Sequence, residues 1–374
     1  MAHDLAVSLS KDAHRVDFVS YESSFFRSED NPNLHYTNVE PYKYPLFPFP
    51  IYELALAEKV AEIAEQNNAD IIHAHYGILF GHAAQLAQQY LQQKGLGTKL
   101  VVTFHGSDVM GFDFEQPGTK VPKRMNISLL QAADALTAVS RCLRSDVMSI
   151  YGFQETDKNI QVIHNGIDIT DWTYYFKKRK QGEEFRIIHF SNFRKVKCAT
   201  ILPEIARVLK NDGMPFHMTL VGDGPEVEEV LTRIREHKLE DHVSWVGKKS
   251  KSELKDLIRA SDALLLPSMY ESMSLAILEC AALGVPAVAS KRGGIPEIVD
   301  HMQSGLLVEN IASAQDFADA IKKLASNEKL RSQLAHRARK IAESMSDVKT
   351  TQQYTSLYEE VLQTNTVSLA NTMS

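Results

Sequence analysis

Short apolar runs rich in valine, isoleucine and leucine alternate with amphipathic stretches along almost the whole chain. Strands buried on both faces of a sheet have continuous apolar sequences of this kind, and helices cover the two faces. The pattern predicts an α/β protein with doubly wound parallel sheets, and helices such as 52–66 and 252–260 between strands. The predicted strands are residues 15–20, 71–75, 100–104, 135–139, 160–163, 186–190, 218–221, 243–246, 263–266 and 287–289.

The length of 374 residues suits two such domains. A faint internal repeat favours two units over one large sheet, because Ala133-Asp-Ala-Leu-Thr-Ala-Val-Ser140 is similar to Ser261-Asp-Ala-Leu-Leu-Leu-Pro-Ser268. The basic stretch 174–182 is typical of a connector. We predict a first domain over residues 1–168 and a second over 169–345. Residues 346–374 are predicted to form a helix that returns to the first domain, followed by a polar tail from residue 364.

Charge and cysteine usage exclude several classes of protein. Lys and Arg total 41 against 47 Asp and Glu, a net charge of -6, which argues against a nucleic-acid partner. The three cysteines are far apart and form no CxxC pair, which favours a reducing compartment. No apolar run approaches the ~20 residues that span a bilayer, and no signal-peptide pattern opens the sequence. We expect a soluble cytoplasmic protein without stable membrane insertion.

Two carboxylates bracket the start of a predicted helix after strand 263–266. They belong to Glu271-Ser-Met-Ser-Leu-Ala-Ile-Leu-Glu279, and a glycine pair follows in Ser290-Lys-Arg-Gly-Gly-Ile-Pro-Glu297. Helix N-terminal amides suit phosphate oxygens, and a carboxylate accepts paired hydrogen bonds from vicinal hydroxyls. The alternative is that Glu271 caps the helix, Glu279 is solvated and the glycines merely form turns.

A cationic segment, Phe190-Ser-Asn-Phe-Arg-Lys-Val-Lys197, follows the first strand of the second half. Three cations in four residues at the carboxyl end of a strand suit a diphosphate, although such charge runs are usually solvated faces. The next strand runs into the tight turn Val221-Gly-Asp-Gly-Pro-Glu226. These elements predict an anion site in the second domain.

In the first half, His75 ends one predicted strand and His105 follows another, and each precedes a glycine within two residues. Buried histidines are usually satisfied core residues, but two at adjacent strand ends favour a site. Asp113 and Glu115 imitate a metal-binding pair. Nothing nearby completes an oxygen-ligand set, so we interpret them as loop residues.

Together these motifs resemble the retaining family 4 glycosyltransferases of the GT-B fold. The resemblance covers nearly the whole chain and rests on Glu271-x7-Glu279, Gly284-Val-Pro286, Gly293-Gly-Ile-Pro-Glu297, Val221-Gly-Asp-Gly-Pro225 and His164-Asn-Gly-Ile-Asp168. It implies two Rossmann-like domains facing across a cleft. Members normally begin with a strand and a glycine-rich loop, whereas this sequence begins within the following helix. The resemblance therefore implies a first domain that lacks its opening strand.

The resemblance also implies roles for individual residues toward a UDP-sugar donor. Arg194 and Lys197 would neutralise the diphosphate, Glu279 would hold the ribose, and Glu271 would face the donor hexose. His105 would lie near the transferred sugar, so that His105, Lys197 and Glu271 form the expected catalytic set. The remaining donor-binding positions are Asn192, Gly222, Ser272, Met273, Ser274 and Leu275.

For the acceptor, the matching positions are Arg27, Tyr76 and Ser107, which suit a small dicarboxylate or a sugar. The segments 191–197 and 72–76 are similar to the branch of the family that transfers N-acetylglucosamine from UDP-N-acetylglucosamine to L-malate in bacillithiol biosynthesis. The alternatives are another sugar or lipid-linked acceptor, or an inactive nucleotide-sugar-binding protein. Ser274 stands where the family usually has glycine, and Met273 where it has an aromatic residue.

The expected reaction retains the anomeric configuration by a same-face substitution. In this mechanism the leaving diphosphate helps to accept the acceptor proton, so neither a metal nor another cofactor is expected. The protein positions the reactants and stabilises charge. A homodimer is left open.

Overall fold

A computed structural model describes residues 1–21, 31–43, 45–46, 51–110, 123–154, 159–176 and 182–371. The chain divides into two compact units. Unit 1 comprises Met1–Gly166 together with Asp347–Ser374, and unit 2 comprises Ile167–Ser346. The first segment of unit 1 ends two residues before the domain boundary predicted at residue 168. Unit 2 ends one residue after the domain boundary predicted at residue 345. None of the helices in the described part of the chain is long and apolar enough to cross a bilayer.

Unit 1 is built from parallel strands and from helices that lie on both of their faces. Its strands are β1 (Val16–Ser20), β2 (Leu34–Asn38), β3 (Ile71–His75), β4 (Lys99–Phe104), β5 (Ala135–Ala138) and β6 (Ile160–Val162). Its first helices are α1 (Ala2–Lys11), α2 (Tyr52–Asn67), α3 (His82–Gln93), α4 (Ser107–Met110), α5 (Lys123–Ala132) and α6 (Arg141–Tyr151). A π-helical turn over Gly77–Gly81 connects β3 to α3.

The strands of unit 1 form two separate sheets within the described residues. β1 pairs in parallel with β2, and β3, β4, β5 and β6 form a four-stranded parallel sheet in chain order. A cavity of about 330 Å³ is lined by both β1 and β3. The prediction of parallel, doubly wound strands is confirmed. The break between the two sheets lies between β1 and β3.

The last helix of the chain, α13 (Asp347–Asn371), belongs to unit 1. Tyr354, Leu357 and Val361 recur at helical spacing and pack with Leu5 and Leu9 of α1 in one apolar cluster. One face of the helix is therefore apolar and packs on α1. The predicted end at residue 363 is wrong, because the helix continues to Asn371.

Unit 2 contains the second set of parallel strands, helices and short 3-10 turns. Its strands are β7 (Phe185–Ser191), β8 (Phe216–Gly222), β9 (Val243–Trp245), β10 (Ala263–Leu266), β11 (Ala287–Ser290) and β12 (Gly305–Val308). Its helices are α7 (Leu202–Asn211), α8 (Val227–Glu236), α9 (Lys251–Arg259), α10 (Leu275–Leu283), α11 (Ala314–Ser326) and α12 (Glu328–Ser344).

The six strands of unit 2 form one parallel sheet in the order β12-β11-β10-β7-β8-β9. Every residue of the central strands β10 and β11 is buried, as expected for a sheet covered on both faces. The strand order reverses beside β7. In open α/β sheets ligands bind at the carboxyl ends of the strands near such a reversal, so the loops after β7 and β10 are placed to form a site.

Candidate active site

The carboxyl end of β7 leads into a loop that carries three cations. We call residues 192–197 the cationic loop. Its anchor is Phe193, which is fully buried and adopts a left-handed φ of 41°. Arg194 and Lys195 on the rim are exposed, whereas Lys197 is only about a fifth exposed. The loop is therefore fixed from below and presents its cations above the strand ends.

His189 in β7 holds the start of this loop through a chain of hydrogen bonds. Its Nδ1 lies 2.9 Å from the Leu265 carbonyl oxygen, and its Nε2 lies 2.9 Å from Ser191 Oγ. A carbonyl only accepts, so Nδ1 carries the proton and Nε2 accepts from the serine hydroxyl. Ser191 Oγ in turn accepts from the Phe193 N–H at 3.1 Å. Burial lowers the pKa of His189 to about 4, which keeps the ring neutral at neutral pH.

The glycine turn after β8 supports the cationic loop from the side. A Cβ at Gly222 would lie 1.9 Å from the Ser191 carbonyl oxygen, so no larger residue fits there. The Glu226 N–H donates to the Phe193 carbonyl at 3.0 Å. The turn therefore holds the loop backbone in place.

Glu271 lies in the turn after β10 and is 8% exposed. Its Oε1 accepts from Lys197 Nζ at 2.7 Å and from Ser268 Oγ at 2.8 Å. Ser268 is held in turn, because its carbonyl accepts from Ser290 Oγ at 2.5 Å. Lys197 and Glu271 are 74 residues apart in the chain and form one largely buried ion pair. Removing either partner leaves the charge of the other without its counter-ion and largely shielded from solvent. This costs more free energy than the loss of an ion pair on the surface.

The backbone of the Glu271 turn is held by the glycine pair after β11. The Gly294 N–H donates to the Glu271 carbonyl at 2.7 Å. Gly293 adopts a left-handed φ of 56°, and a Cβ there would lie 2.2 Å from the Glu271 carbonyl oxygen. The Met269 N–H donates to the Val196 carbonyl at 2.8 Å, which joins this turn to the cationic loop. The cationic loop, the Glu271 turn and both glycine turns thus form one connected structure.

Helix α10 begins directly after this turn. Met273 and Ser274 are buried, and Ser272 and Leu275 are half-buried. Glu279 is half-buried in the second turn of α10. The amides at the start of the helix carry the positive end of its dipole.

In unit 1, polar rings gather at the carboxyl ends of β3 and β4. His75 Nδ1 lies 2.9 Å from His105 Nε2, and the Tyr76 ring centroid lies 4.6 Å from that of His105. The buried Asp108 carboxylate accepts from the N–H groups of His105 and Gly106, at 3.1 and 2.8 Å, which fixes the loop beside the histidines.

Comparison with known proteins identifies the family. Residues 1–171 match the family described as Glycosyltransferase Family 4, and residues 170–341 match that described as Glycosyl transferases group 1. The chain is 33% identical to N-acetyl-alpha-D-glucosaminyl L-malate synthase of Bacillus anthracis, over 96% of this chain and 92% of that protein. The chain is a family 4 glycosyltransferase. It is also 29% identical to the amylovoran biosynthesis glycosyltransferase AmsK of Erwinia amylovora, over 74% of this chain and 66% of that protein.

Solved structures agree on the GT-B fold of this glycosyltransferase. HepE of Anabaena, solved in complex with UDP-glucose, has a TM-score of 0.76 at 21% identity, covering 96% of this chain and 94% of that one. Sucrose-phosphate synthase of Thermosynechococcus elongatus has a TM-score of 0.77 at 18% identity, covering 97% and 93% of the two chains. The predicted fold class is confirmed.

The glycosyltransferase brings part of the predicted site together within each unit. In unit 2 Lys197 and Glu271 share an ion pair, and the predicted donor positions Asn192, Arg194, Gly222, Ser272, Met273, Ser274, Leu275 and Glu279 lie in the loops and helix end around them. In unit 1 His105, Tyr76 and Ser107 share the strand ends. Arg27, Asp113 and Glu115 lie outside the described residues. Among the described residues, no group of His, Cys, Asp or Glu side chains is arranged to hold a metal ion.

Two residues of the glycosyltransferase site were missed from the sequence. Ser268 is three residues before Glu271, directly after a buried strand, and that spacing alone was the available signal. His189 interrupts the apolar stretch 187–190 of β7, which marks a buried polar group that needs partners. Both act by holding a neighbouring group in place.

We expect acid to destabilise unit 1 through its histidines. Burial lowers the pKa of His73 and His105 to about 3, against 6.5 for the free side chain. Between those values the unfolded chain binds protons that the folded chain does not, so stability falls as pH drops below 6.5. The loss is about 1.4 kcal/mol per pH unit for each histidine. Urea unfolding between pH 7.5 and 5 measures it.

In the variant His73→Gln, the free energy of unfolding should depend less steeply on pH. The difference in slope should correspond to about one proton fewer taken up on unfolding. It also loses the hydrogen bonds of His73 to Tyr358 and Thr103, both 2.7 Å, so its absolute stability should fall. The slope is therefore the informative quantity. A slope equal to that of the wild type would contradict the assignment.

Proposed function

We propose that this glycosyltransferase transfers N-acetylglucosamine from UDP-N-acetylglucosamine to L-malate with retention of configuration. The observation that carries the class of chemistry is the Lys197–Glu271 ion pair at 2.7 Å, set in a cationic loop at the carboxyl ends of the strands. The choice of donor and acceptor is supported by 33% identity to N-acetyl-alpha-D-glucosaminyl L-malate synthase over 96% of the chain.

In this proposal Lys197 serves two partners. Its ammonium has three donors, and Glu271 accepts one of them. The others remain for phosphate oxygens, so the carboxylate orients the cation before the donor arrives. Arg194 on the exposed rim adds a second positive charge, and the amides at the start of α10 add a third source of positive potential. Glu279 accepts hydrogen bonds from the ribose hydroxyls.

The bond changes balance without an enzyme nucleophile. The malate hydroxyl oxygen forms a bond to the anomeric carbon on the face from which the diphosphate leaves. The bond between that carbon and the phosphate oxygen breaks, and the hydroxyl proton ends on the leaving UDP. Positive groups around the diphosphate stabilise the charge that develops on it. No metal takes part in the proposed steps.

The acceptor side is proposed to lie in unit 1. His105 and Tyr76 stand at the strand ends, and Tyr76 is 40% exposed. Burial keeps the His105 ring neutral, with a pKa of about 3, so it acts as a hydrogen-bonding group for the sugar hydroxyls. Ser107 and Arg27 are proposed to bind the malate carboxylates.

A donor and acceptor matrix tests the proposal. UDP release is measured with UDP-N-acetylglucosamine or UDP-glucose, each with L-malate, succinate or no acceptor. We expect fast release with UDP-N-acetylglucosamine and L-malate together. Succinate keeps both carboxylates but lacks the attacking hydroxyl, so release should fall to the level without acceptor.

The remaining outcomes separate the alternatives. If UDP were released faster from UDP-glucose than from UDP-N-acetylglucosamine, UDP-glucose would replace UDP-N-acetylglucosamine as the proposed donor. If L-malate did not change the rate of UDP release but a sugar or a lipid-linked acceptor increased it, one of the other family 4 activities would be supported. Binding of UDP-N-acetylglucosamine without release under any condition would indicate a binding protein.

A further inference from the structure

Two consecutive residues at the end of β3 contact the same imidazole. His75 is the last residue of β3, and its Nδ1 lies 2.9 Å from His105 Nε2. Tyr76 follows, and its ring centroid lies 4.6 Å from that of His105, with the ring planes 36° apart. Side chains of consecutive residues in an extended strand point to opposite faces. The backbone must therefore turn between His75 and Tyr76 for both side chains to reach His105.

Tyr76 makes this turn with a left-handed φ of 75°. A residue other than glycine is strained in this region, and hydrogen bonds on both sides of the residue hold it there. The Tyr76 N–H donates to the Thr103 carbonyl at 2.9 Å, and the Tyr76 carbonyl accepts from the Gly81 N–H at 3.0 Å. The π-helical turn begins at the next residue, and such turns are frequent at functional sites. The strained residue thus places two neighbouring side chains on His105.

The main chain that carries His105 is fixed by the buried carboxylate of Asp108. One oxygen of this carboxylate accepts from the N–H groups of His105 and Gly106, and the other accepts from the Gly77 N–H at 2.8 Å. Asp108 therefore ties the loop after β4 to the turn after β3. With both main chains fixed, the freedom that remains to His105 is the rotation of its side chain and the tautomer of its ring.

The His75 ring is supported by His73 on the same face of β3. The two residues are two positions apart, so their side chains lie on one face of the strand, and their ring centroids are 4.3 Å apart. His73 Nδ1 lies 2.7 Å from the Tyr358 hydroxyl of α13, and His73 Nε2 lies 2.7 Å from Thr103 Oγ1. Because both of its nitrogens are bonded, the His73 ring gives His75 a fixed surface to pack against.

We infer that His75 is a positioning residue of the glycosyltransferase, and that its Nδ1 sets both the orientation and the tautomer of the His105 ring. This inference rests on the role proposed above for His105 beside the transferred sugar. Two neutral imidazoles share a hydrogen bond only if one of the two nitrogens carries a proton and the other does not. The bond to His75 therefore fixes the protonation of His105 Nε2.

The protonation of the second nitrogen of His105 follows from that of the first. Burial keeps both rings neutral, because it lowers the pKa of His105 to about 3 and the pKa of His75 well below its usual value. A neutral imidazole carries one proton, so His105 Nδ1 has the opposite state to Nε2. A fixed tautomer presents a sugar hydroxyl with one defined hydrogen-bonding partner instead of a mixture of donor and acceptor.

Two amide variants of His75 test the inference through catalysis. An asparagine amide is as many bonds from Cα as histidine Nδ1, whereas a glutamine amide is one bond further away, as is Nε2. His75→Gln should lower kcat for UDP release from UDP-N-acetylglucosamine with L-malate by about 10- to 100-fold, because His105 is no longer held in place. His75→Asn keeps a bonding group at the position of Nδ1 and should retain most of the activity.

His82 offers a matched control in the same unit. Its Nε2 lies 2.9 Å from Asn126 Oδ1, and both residues are buried. In His82→Asn the amide is one bond short of this partner, so the melting temperature should fall while kcat stays close to that of the wild type. Melting temperatures also show that every variant is folded at the assay temperature.

The state of the His105 ring is measured independently of activity. In protein labelled with 15N-histidine, the His105 signals are those that disappear in His105→Gln. A single tautomer gives one nitrogen shift of a protonated nitrogen and one of a bare nitrogen, whereas exchange between tautomers draws the two shifts together. We expect the first pattern in the wild type and in His75→Asn, and the second in His75→Gln.

The two measurements separate this inference from the proposed function. Ring-nitrogen shifts of His105 that are the same in His75→Gln and in the wild type would overturn the inference, whatever the value of kcat. Equal losses of kcat in His75→Asn and His75→Gln would also overturn it. If the shifts change as expected but His105→Gln keeps full activity, the positioning by His75 is supported and the role proposed for His105 fails.

Discussion

Replacing Lys197 with alanine should lower kcat/KM for the nucleotide-sugar donor by about 100- to 1000-fold. The change removes the cation nearest the proposed diphosphate position. It also leaves the carboxylate of Glu271, a residue that is 8% exposed, with the Ser268 hydroxyl as its remaining partner among the contacts described above. An uncompensated carboxylate would then face the phosphates, so the loss should exceed that expected from one missing hydrogen bond. Steady-state kinetics with varied donor concentration measures the effect.

Lys195 offers a matched control, because it is a lysine of the same loop with an exposed side chain. Lys195→Ala removes the same formal charge, and its kcat/KM should stay close to that of the wild type. If the two variants lost activity equally, general electrostatic attraction would explain the loop better than a specific ion pair. Circular dichroism and melting temperatures confirm that both variants are folded.

The sequence predicts those strands whose side chains are all buried. β10 and β11 are buried at every residue, so continuous apolar runs identify them. β2, with the sequence Leu-His-Tyr-Thr-Asn, was not predicted, because its side chains are largely polar and only Leu34 is buried. Such a strand is specified by its pairing with β1 rather than by its own sequence.

The site was predictable at the level of motifs but not of contacts. The sequence indicates that Lys197 and Glu271 each follow a parallel strand, and that such strand ends meet at one edge of the sheet. The support from the glycine turns was not evident. It depends on a distance of 2.2 Å between a hypothetical Cβ at Gly293 and a carbonyl 22 residues away in the chain. No local pattern encodes that distance.

Replacing Gly293 with alanine should lower kcat/KM on the order of 100-fold, comparable to a misplacement of about 1 Å in a catalytic group. The added Cβ cannot remain 2.2 Å from the Glu271 carbonyl oxygen, so one of the two turns must move. The left-handed φ of 56° adds strain of about 1–3 kcal/mol for a residue other than glycine. Because the Gly294 N–H bonds to the same carbonyl, the Glu271 turn should shift with it and weaken the contact with Lys197.

Gly213 separates strain from displacement. It has a similar φ of 67°, but no atom lies within 4 Å of its hypothetical Cβ. Gly213→Ala should therefore cost about 1 kcal/mol of stability and leave kcat/KM unchanged. If Gly293→Ala lost stability alone, the glycine pair would be a turn without influence on Glu271. If it lost activity while remaining folded at the assay temperature, the turn would be part of what holds the ion pair ready for the diphosphate.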